Sequence, residues 1–489
     1  MFSILRSVAT LGVSVAAMTA CALHSPSANA DMLSPDQAKA DLECLYSGLQ
    51  AAEANLYAVT SPEVFERRYK ELQSKFAEPV SESELFRALQ QFAALAKHGH
   101  TRLEGLNPAW STHVEADGTV FPLDLIVDEG EVIVVGAPEG GDVHPGDRIL
   151  SIDGAPNPIW LPKVTRNISA ETPELAYALM ANGTPYYMWL EYGSQETFSV
   201  EINRASQTQI VDVAAITLDE LYNVARLEDG FTLAGRDAKM LDDDVAYLRP
   251  GGFFNLDAET QEDAYAPEAL AAYLAFLDDA FTTFIDEGAS HLVLDLRDNP
   301  GGTNSFSDPV VAWFADEPFR FASDFRIRVS EETTTSNAAR LENLSEDDAS
   351  ISRQFADLFA EAEIGDVVSF EIPYAEPRSG ERFEGEVHVL VNRYSYSNAV
   401  SVAAMIQDYG FGTIYGEPTR DMATTYGAME HFNLPNTGFL VGYPKAHIIR
   451  PNGAEHSHPV RPNIEFPTPA TRGQQDTMLE AMLKHLAEE

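Results

Sequence analysis

The chain has 489 residues, of which 45 % are apolar and 22 % are charged, so it is long enough for two or three folded domains. Its 76 acidic residues outnumber its 32 basic ones, which gives a formal net charge of −44. This excess of carboxylates argues against nucleic acid and anionic membrane surfaces as partners and favours high solubility.

The N-terminal segment, residues 1–30, has the pattern of a secretory signal peptide. It contains one basic residue, Arg6, then an apolar stretch, and it ends in Ala28-Asn29-Ala30, a small-residue pattern typical of a cleavage site. Lipidation of Cys21 is an alternative, although Met18-Thr19-Ala20 before it lacks the usual branched residue. We expect a cleaved signal, no membrane span in the mature chain, and a location in the periplasm or outside the cell.

Cys44 is the only cysteine outside the signal segment. The mature chain therefore has no internal disulfide framework. Leu42 and Leu45 flank this cysteine in a helical pattern, which predicts that it packs as a small apolar side chain.

Residues 31–110 are predicted to form a helical bundle. A helix opens at Pro35, and apolar residues recur at three- and four-residue spacing over Glu63–Phe76 and Glu82–Lys97. The bundle ends in His98-Gly99-His100, where the glycine interrupts the helix. On its own, this pair of histidines is also compatible with an ordinary polar helix cap.

Residues 111–210 change to the short spacing of strands. The predicted strands are Phe121–Val127, Glu131–Val135, Arg148–Ile152, Tyr186–Tyr192 and Thr197–Ile202. The segment Gly146–Gly154, a turn, a strand and an Asp-Gly turn, resembles the corresponding stretch of PDZ domains, which bind an extended chain at a sheet edge. A generic small β-barrel is the alternative.

Residues 211–244 are predicted to be an acidic linker, and residues 245–489 an α/β domain. In that domain strands at 245–248, 291–296, 387–392, 412–415 and 438–442 alternate with helices at about 259–287 and 398–409. The stretch Ser330–Ile364 is polar without strong periodicity, and we expect a surface excursion there.

Two strand-to-turn segments of the α/β domain have the residues for chemistry. The strand at 291–296 breaks at Asp298-Asn299-Pro300-Gly301-Gly302, where the glycines leave backbone N–H groups unobstructed. The strand at 387–392 leads to Ser397 at the start of a helix, where backbone donors and the helix dipole favour negative charge.

The chain resembles the C-terminal processing (tail-specific) peptidases. Five of the family's segments occur in its order: GHTRL at 99–103, the PDZ-like region, LDLRDNPGG at 294–302, VLVNRYSYSNA at 389–399 and GEPT at 416–419. The resemblance covers nearly the whole mature chain. It implies a crotonase-like (ClpP-like) α/β catalytic domain in which Ser397 is the nucleophile.

The base differs from that of the bacterial members, which place a lysine about 25 residues after the serine. That position is Met422 here, and a thioether cannot accept a proton at neutral pH. The chain is more similar to the branch of tricorn core protease and the retinoid-binding modules of the eye, which uses Ser, His and Glu. Matching the motifs of that branch implies His100 as the base and Glu455 as the carboxylate that orients it.

Several residues compete for these roles. The alternative bases are His456, His458 and Lys445. The alternative carboxylates are Glu417, Asp421 and Glu430. The backbone N–H groups of Gly301 or Gly302 and of Asn398 are the candidate donors to the oxyanion of the tetrahedral intermediate.

The expected function is that of a serine endopeptidase that hydrolyses polypeptides through an acyl-enzyme, with no metal or cofactor. A non-catalytic protein of the same fold that binds a peptide or apolar ligand is the alternative, motivated by the missing lysine. Hydrolysis of an acyl group on a small molecule is a third possibility. Substrate preference and oligomeric state do not follow from the sequence.

Overall fold

The computed structural model describes residues 32–226, 233, 235–258, 260–343, 350–466, 468 and 475–488. The predicted signal peptide and Cys21 lie outside these residues. Within the described ranges, no helix combines the length and the apolar character needed to cross a bilayer.

The N-terminal part is helical. Its elements are β1 (Met32–Leu33), α1 (Pro35–Ala52), α2 (Pro62–Lys75), β2 (Val80–Ser81), α3 (Glu82–Ala93), a 3₁₀ turn (Ala94–Ala96), β3 (Arg102–Leu103) and α4 (Pro108–Glu115). Ser34 and Ser81 start α1 and α3 with capping boxes, which satisfy backbone donors that would otherwise lack partners. Lys97 then adopts a left-handed conformation (φ 58°) and turns the chain out of the helix, so that residues 98–103 run towards the later domain.

The second part contains a seven-stranded sheet with helices packed on it. Its elements are β4 (Thr119–Val120), β5 (Asp124–Asp128), β6 (Glu131–Ala137), β7 (Arg148–Ile152), β8 (Ala155–Pro156), α5 (Asn157–Thr165), α6 (Pro173–Ala181), α7 (Thr184–Tyr192), β9 (Thr197–Arg204), β10 (Gln207–Ala214), β11 (Ile216–Thr217), α8 (Leu218–Tyr222) and β12 (Ala225–Arg226). The sheet order is β10-β9-β7-β6-β12, with β5 on β6 and β8 on β7.

Two predictions for this part were wrong. The expected strand Tyr186–Tyr192 is helix α7, which lies between two cores: Tyr186 and Leu190 pack into the N-terminal core, whereas Met188 packs into the core of the sheet. Burial on both sides produces an alternating apolar pattern that imitates a strand. The expected linker 211–244 begins inside β10, which pairs with β9 over its whole length.

The third part is built on a six-stranded sheet. Its elements are β13 (Asp237–Met240), β14 (Val245–Arg249), α9 (Gln261–Ala264), α10 (Pro267–Asp286), β15 (His291–Asp295), α11 (Asn304–Ala312), β16 (Asp324–Arg328), α12 (Glu331–Asn343), α13 (Ser350–Ala360), β17 (Val367–Ser369), β18 (Glu386–Val391), α14 (Asn398–Tyr409), β19 (Thr413–Gly416), β20 (Thr425–Asn433), β21 (Leu440–Ile449), β22 (Ile464–Glu465) and α15 (Thr477–Leu486). The sheet order is β13-β14-β15-β18-β19-β22, parallel from β14 onwards.

Both faces of this sheet are covered, as parallel strands require. Helices α10, α11 and α14 pack against one face around Phe281, Phe306 and Ala403, and α15 covers the other face through Met478 and Met482. A second sheet, β17-β16-β21-β20, stands beside it and also takes up β3 from the N-terminal part. The mixed α/β class expected from the sequence is confirmed.

The expected surface excursion at Ser330–Ile364 was also wrong, because this segment contains α12 and α13. Ser330 begins α12 by accepting a hydrogen bond from the Thr333 N–H at 3.0 Å. In α13, Phe355 and Phe359 lie one turn apart and pack into an aromatic cluster on the second sheet. The polar composition of α12 hides its helical character, since little of its surface is apolar.

Candidate active site

The carboxyl ends of β15 and β18 bring the two predicted turns into contact. The Asn392 side chain accepts a hydrogen bond from the Asp298 N–H at 3.1 Å and donates one to Asp298 Oδ1 at 2.8 Å. The Tyr396 N–H donates to the Asn299 carbonyl at 3.0 Å. Adjacent parallel strands end at the same sheet edge, so segments about ninety residues apart form one site.

Ser397 lies at the first position before α14 in an unusual backbone conformation, with φ 51° and ψ −123°. A non-glycine residue in such a region costs about 1–3 kcal/mol, so its surroundings must hold it there. The Ser397 N–H donates to Asp421 Oδ2 at 2.6 Å. On the other side Gly301 packs so closely that a Cβ would lie 2.9 Å from Ser397 Cβ, which excludes any larger residue.

His100 lies against this serine. Its Nε2 is 3.1 Å from Ser397 Oγ, and its ring stacks on Tyr396 with centroids 5.4 Å apart. The Tyr396 hydroxyl donates to the Gly99 carbonyl at 2.9 Å and fastens the histidine segment to the nucleophile turn. Burial, followed by the charge of Arg102, lowers the pKa of His100 to about 4, so the imidazole is neutral and able to accept a proton.

His98, the other histidine of the pair, has a separate environment. It is fully buried, its Nδ1 contacts the Glu53 carboxylate, and its ring stacks on Tyr426 with centroids 4.1 Å apart. Neither histidine is therefore an exposed polar cap of the helix.

Two carboxylates, the half-buried Glu171 and the buried Asp421, support the site. Glu171, just before α6, accepts hydrogen bonds from the Gly99 N–H at 3.2 Å, and Asp421 accepts from Ser397 and from the Met422 N–H at 2.8 Å. Burial, together with the charge of Glu171, raises the pKa of Asp421 well above its usual range, and burial also raises the pKa of Glu171. These two side chains hold the backbone beside the base and the backbone of the nucleophile.

The three candidate oxyanion donors are not equivalent. The Gly301 N–H already donates to Asn299 Oδ1 at 2.9 Å, so it is engaged within its own turn. The N–H groups of Gly302 and Asn398 form no hydrogen bond with the described residues, and both residues line the cleft beside Ser397. A Cβ at position 302 would lie 2.2 Å from the Phe253 carbonyl oxygen, so only glycine fits at this position.

The structure does not bring Glu455 to the imidazole. Glu455 Oε1 binds Arg326 at 2.7 Å and its side chain is 62 % exposed, whereas His100 Nδ1 is buried without a hydrogen-bond partner among the described residues. The backbone of Tyr426 is the neighbour that favours a proton on the His100 ring.

The rival residues are engaged elsewhere. Lys445 Nζ binds Glu430 Oε1 at 2.6 Å, and Glu417 forms a two-pronged pair with Arg393. His456 and His458 are exposed. Asp421 holds the Ser397 N–H, a role that the sequence does not predict: its position in the C-terminal region offers it only as an orienting carboxylate, and its place next to Met422 is the only signal.

A cleft of about 940 Å³ opens at Ser397. Its aromatic lining comes from Phe254, Tyr265, Phe321, Phe325, Phe355, Phe370, Tyr374 and Tyr396. Arg320, Arg340 and Lys445 add basic groups to the wall. The cleft is large enough for several residues of an extended chain with apolar side chains.

A serine with a neutral histidine at hydrogen-bond distance and free backbone donors beside it defines a serine hydrolase. Residues 268–466 match peptidase family S41, and this match identifies the protein as a serine peptidase. The resemblance to the C-terminal processing peptidases is thereby confirmed at the level of the family.

Two solved structures with TM-scores above 0.5 share the fold. Mature CPAF complexed with lactacystin superposes with a TM-score of 0.60 at 16 % sequence identity, covering 93 % of this chain and 97 % of that one. Mature CPAF alone gives 0.59 at 16 % identity, covering 93 % and 96 %. The photosystem II D1 C-terminal processing protease gives 0.41 at 16 % identity, covering 88 % and 93 %.

No curated protein matches the sequence.

Proposed function

We propose that this protein is an endopeptidase that cleaves polypeptides through an acyl-enzyme, with Ser397 as nucleophile and His100 as its base. The observation that carries the proposal is the 3.1 Å contact between His100 Nε2 and Ser397 Oγ. His100 takes the hydroxyl proton as Ser397 Oγ attacks the scissile carbonyl, and it returns the proton to the leaving amine. A water molecule then hydrolyses the ester by the same route.

The negative oxygen of the tetrahedral intermediate is stabilised by the N–H groups of Gly302 and Asn398. Asn398 opens α14, so the helix dipole adds to its donor. One well-placed donor is worth about 3–4 kcal/mol in the transition state. The strained conformation of Ser397 fits this arrangement, since it aims the side chain out of the turn while Asp421 holds its N–H.

His100 acts here without a carboxylate in contact with Nδ1. The buried ring needs less help with orientation than an exposed one, because stacking on Tyr396 fixes its plane. Glu455 pairs with Arg326 and does not orient the imidazole.

The substrate is an extended chain whose apolar side chains enter the aromatic cleft. In the second part of the molecule β10 ends its sheet and exposes most of its residues, Ile210 among them at 71 %. This edge favours the expected PDZ-like role for residues 111–210, in which a substrate strand is added to a sheet. Export is proposed from the pattern of residues 1–30 alone.

The test replaces Ser397 by alanine. We expect Ser397→Ala to abolish labelling by a fluorophosphonate probe and to lower kcat for peptide cleavage on the order of 10⁶-fold, the usual cost of losing such a nucleophile. The melting temperature should stay at or above that of the parent, because alanine keeps the backbone contacts of Ser397.

Ser401→Ala is the matched control, because Ser401 lies one turn further along α14 and also lines the cleft. This variant should label and cleave like the parent. Unchanged turnover in Ser397→Ala would remove Ser397 from the mechanism, whereas binding without turnover in the parent would favour the non-catalytic function.

A further inference from the structure

A second cluster of titratable side chains lies at the amino ends of the central strands β15 and β18, the ends opposite to those that lead to the active site. It consists of His291, the first residue of β15, and of Glu386 and His388 at the start of β18. The parallel register places His291 opposite Glu386, and His388 follows Glu386 on the same face because side chains alternate along a strand. The peptidase mechanism uses none of these residues.

The three ligand atoms converge on one point. His291 Nδ1 is 3.1 Å from His388 Nε2, and Glu386 Oε2 is 3.7 Å and 3.9 Å from these two nitrogens. A position equidistant from the three atoms lies about 2.1 Å from each, which is within the usual range of zinc–nitrogen and zinc–oxygen bonds. We propose that His291, Glu386 and His388 bind a divalent transition-metal ion, Zn²⁺ being the best match for two imidazoles and one carboxylate.

The surroundings of the cluster fit a metal site with one open position. The His388 side chain is 4 % exposed and its Nδ1 lies 3.3 Å from the Tyr415 hydroxyl, an outer contact that leaves Nε2 for the ion. Glu386 is 74 % exposed, so the ion is reached from solvent and keeps room for a water ligand. The net charge of −44 raises the concentration of cations near the surface.

The site joins the two strands that lead to the catalytic turns. β15 runs from His291 to the Asp298–Gly302 turn, and β18 runs from Glu386 towards Ser397. A bound ion therefore fastens the amino ends of both strands, one sheet length away from the chemistry. The sequence gives only a weak spacing signal for such a site, because 95 residues separate His291 from Glu386 and only Glu386 and His388 lie close together.

The experiment is a calorimetric titration of the full mature protein, first freed of metal by a chelator, with ZnCl₂. We expect one Zn²⁺ per chain and a rise in melting temperature with zinc concentration. Glu386→Ala and His291→Ala should each weaken binding at least about tenfold, and Tyr415→Phe should weaken it about 10–100-fold by removing the outer contact. MgCl₂ should give no comparable binding.

Two controls make the result specific. Glu384→Ala removes an exposed carboxylate two residues from Glu386, and the double variant His456→Ala/His458→Ala removes the exposed histidine pair. Both should bind zinc like the parent. Equal affinity in parent, Glu386→Ala and His291→Ala, loss of binding only in the double variant, or no zinc bound at all would overturn the proposal.

Fluorophosphonate labelling of Ser397 in Glu386→Ala, together with its circular dichroism spectrum, confirms that the variant is folded. The metal site and the peptidase proposal fail separately, since zinc affinity is measured without turnover and labelling without zinc.

Discussion

At the scale of single residues, the active site depends on groups that hold others in place. Ser397 has its strained backbone fixed by Asp421 and by the close approach of Gly301. His100 has its segment fixed by Tyr396 and by Glu171. The reacting atoms are thus oriented before a substrate arrives, which is the main requirement for this type of catalysis.

The pH dependence of kcat/KM tests the environment of His100. Because burial lowers the pKa of His100 to about 4, the base stays neutral well below the 6.5 of a free histidine. Activity is lost only as the pH falls through the folded-state pKa, so we expect the acid limb of kcat/KM at about pH 4–5. The measurement is a kcat/KM profile from pH 3.5 to 9 with a neutral peptide.

Asp421→Asn provides the control for this profile. Its kcat should be lower, because an amide holds the Ser397 N–H less firmly than a carboxylate, but its acid limb should stay where the parent has it. An acid limb near pH 7 that disappears in Asp421→Asn would assign the titration to Asp421 and Glu171 instead of His100.

The sequence predicted Ser397 and His100 because both lie in short motifs with a distinct turn chemistry. It predicted Glu455 from motif position alone, and in the structure this carboxylate forms an ion pair with Arg326. Asp421 and Glu171 act through backbone N–H groups, and such contacts leave no pattern in a single sequence.

At the scale of elements, helix α13 contributes both to the packing on the second sheet and to the wall of the cleft. Phe355 lines the cleft and packs on Phe370 with ring centroids 4.4 Å apart. Phe359, one turn later, belongs to the same aromatic cluster, but it is not part of the cleft wall. Substitution of Phe359 therefore affects packing alone, whereas substitution of Phe355 affects both packing and the wall of the cleft.

We expect Phe355→Ala to lower the free energy of unfolding by about 3–5 kcal/mol, the usual cost of emptying a buried aromatic site. It should also lower kcat/KM for peptides with a large apolar side chain more than for matched peptides with alanine. Phe359→Ala should lose similar stability with unchanged selectivity. Urea unfolding and paired peptide kinetics measure the two effects, and an equal change of selectivity in both variants would contradict the role of Phe355 in the cleft.

Four parallel strands of the catalytic sheet, β14, β15, β18 and β19, were predicted within one or two residues, because each is a short apolar run ending in a strong turn signal. The short strand β22 was not predicted, and the strand expected at 438–442 is the start of β21, which belongs to the second sheet. Helix α7 was misread since its two opposite faces are buried in different cores. Helix α12 was missed since most of its surface is polar. The spacing of apolar residues follows the buried face of an element. It therefore predicts the wrong element where two opposite faces are buried, and it predicts none where little of the surface is buried.

At the scale of the whole molecule, the net charge of −44 should act on the rate of substrate capture. A field of this sign attracts cationic peptides, and salt screens it with a Debye length of about 10 Å at 0.1 M ionic strength. We expect kcat/KM for a lysine-flanked peptide to fall several-fold between 20 and 500 mM NaCl, whereas the glutamate-flanked version of the same peptide should rise or stay constant. A parallel response of both peptides would show that the field has no part in capture.

The sequence indicated three structured regions and their order, but not how they meet. Arg393, next to the nucleophile turn, binds Glu417 within the catalytic part and Asp128 of β5 at 2.6 Å. Long-range pairs of this kind form only in the assembled chain, so no local pattern predicts them.

The proposed base, His100, lies just before β3 in the N-terminal part, and the proposed nucleophile, Ser397, lies 297 residues later at the start of α14. A growing or clipped polypeptide that contains only one of these regions has either a poised alcohol without a proton acceptor or an acceptor without an alcohol. On the proposed mechanism, the chain can therefore cut other proteins only after its N-terminal part has folded against its catalytic part.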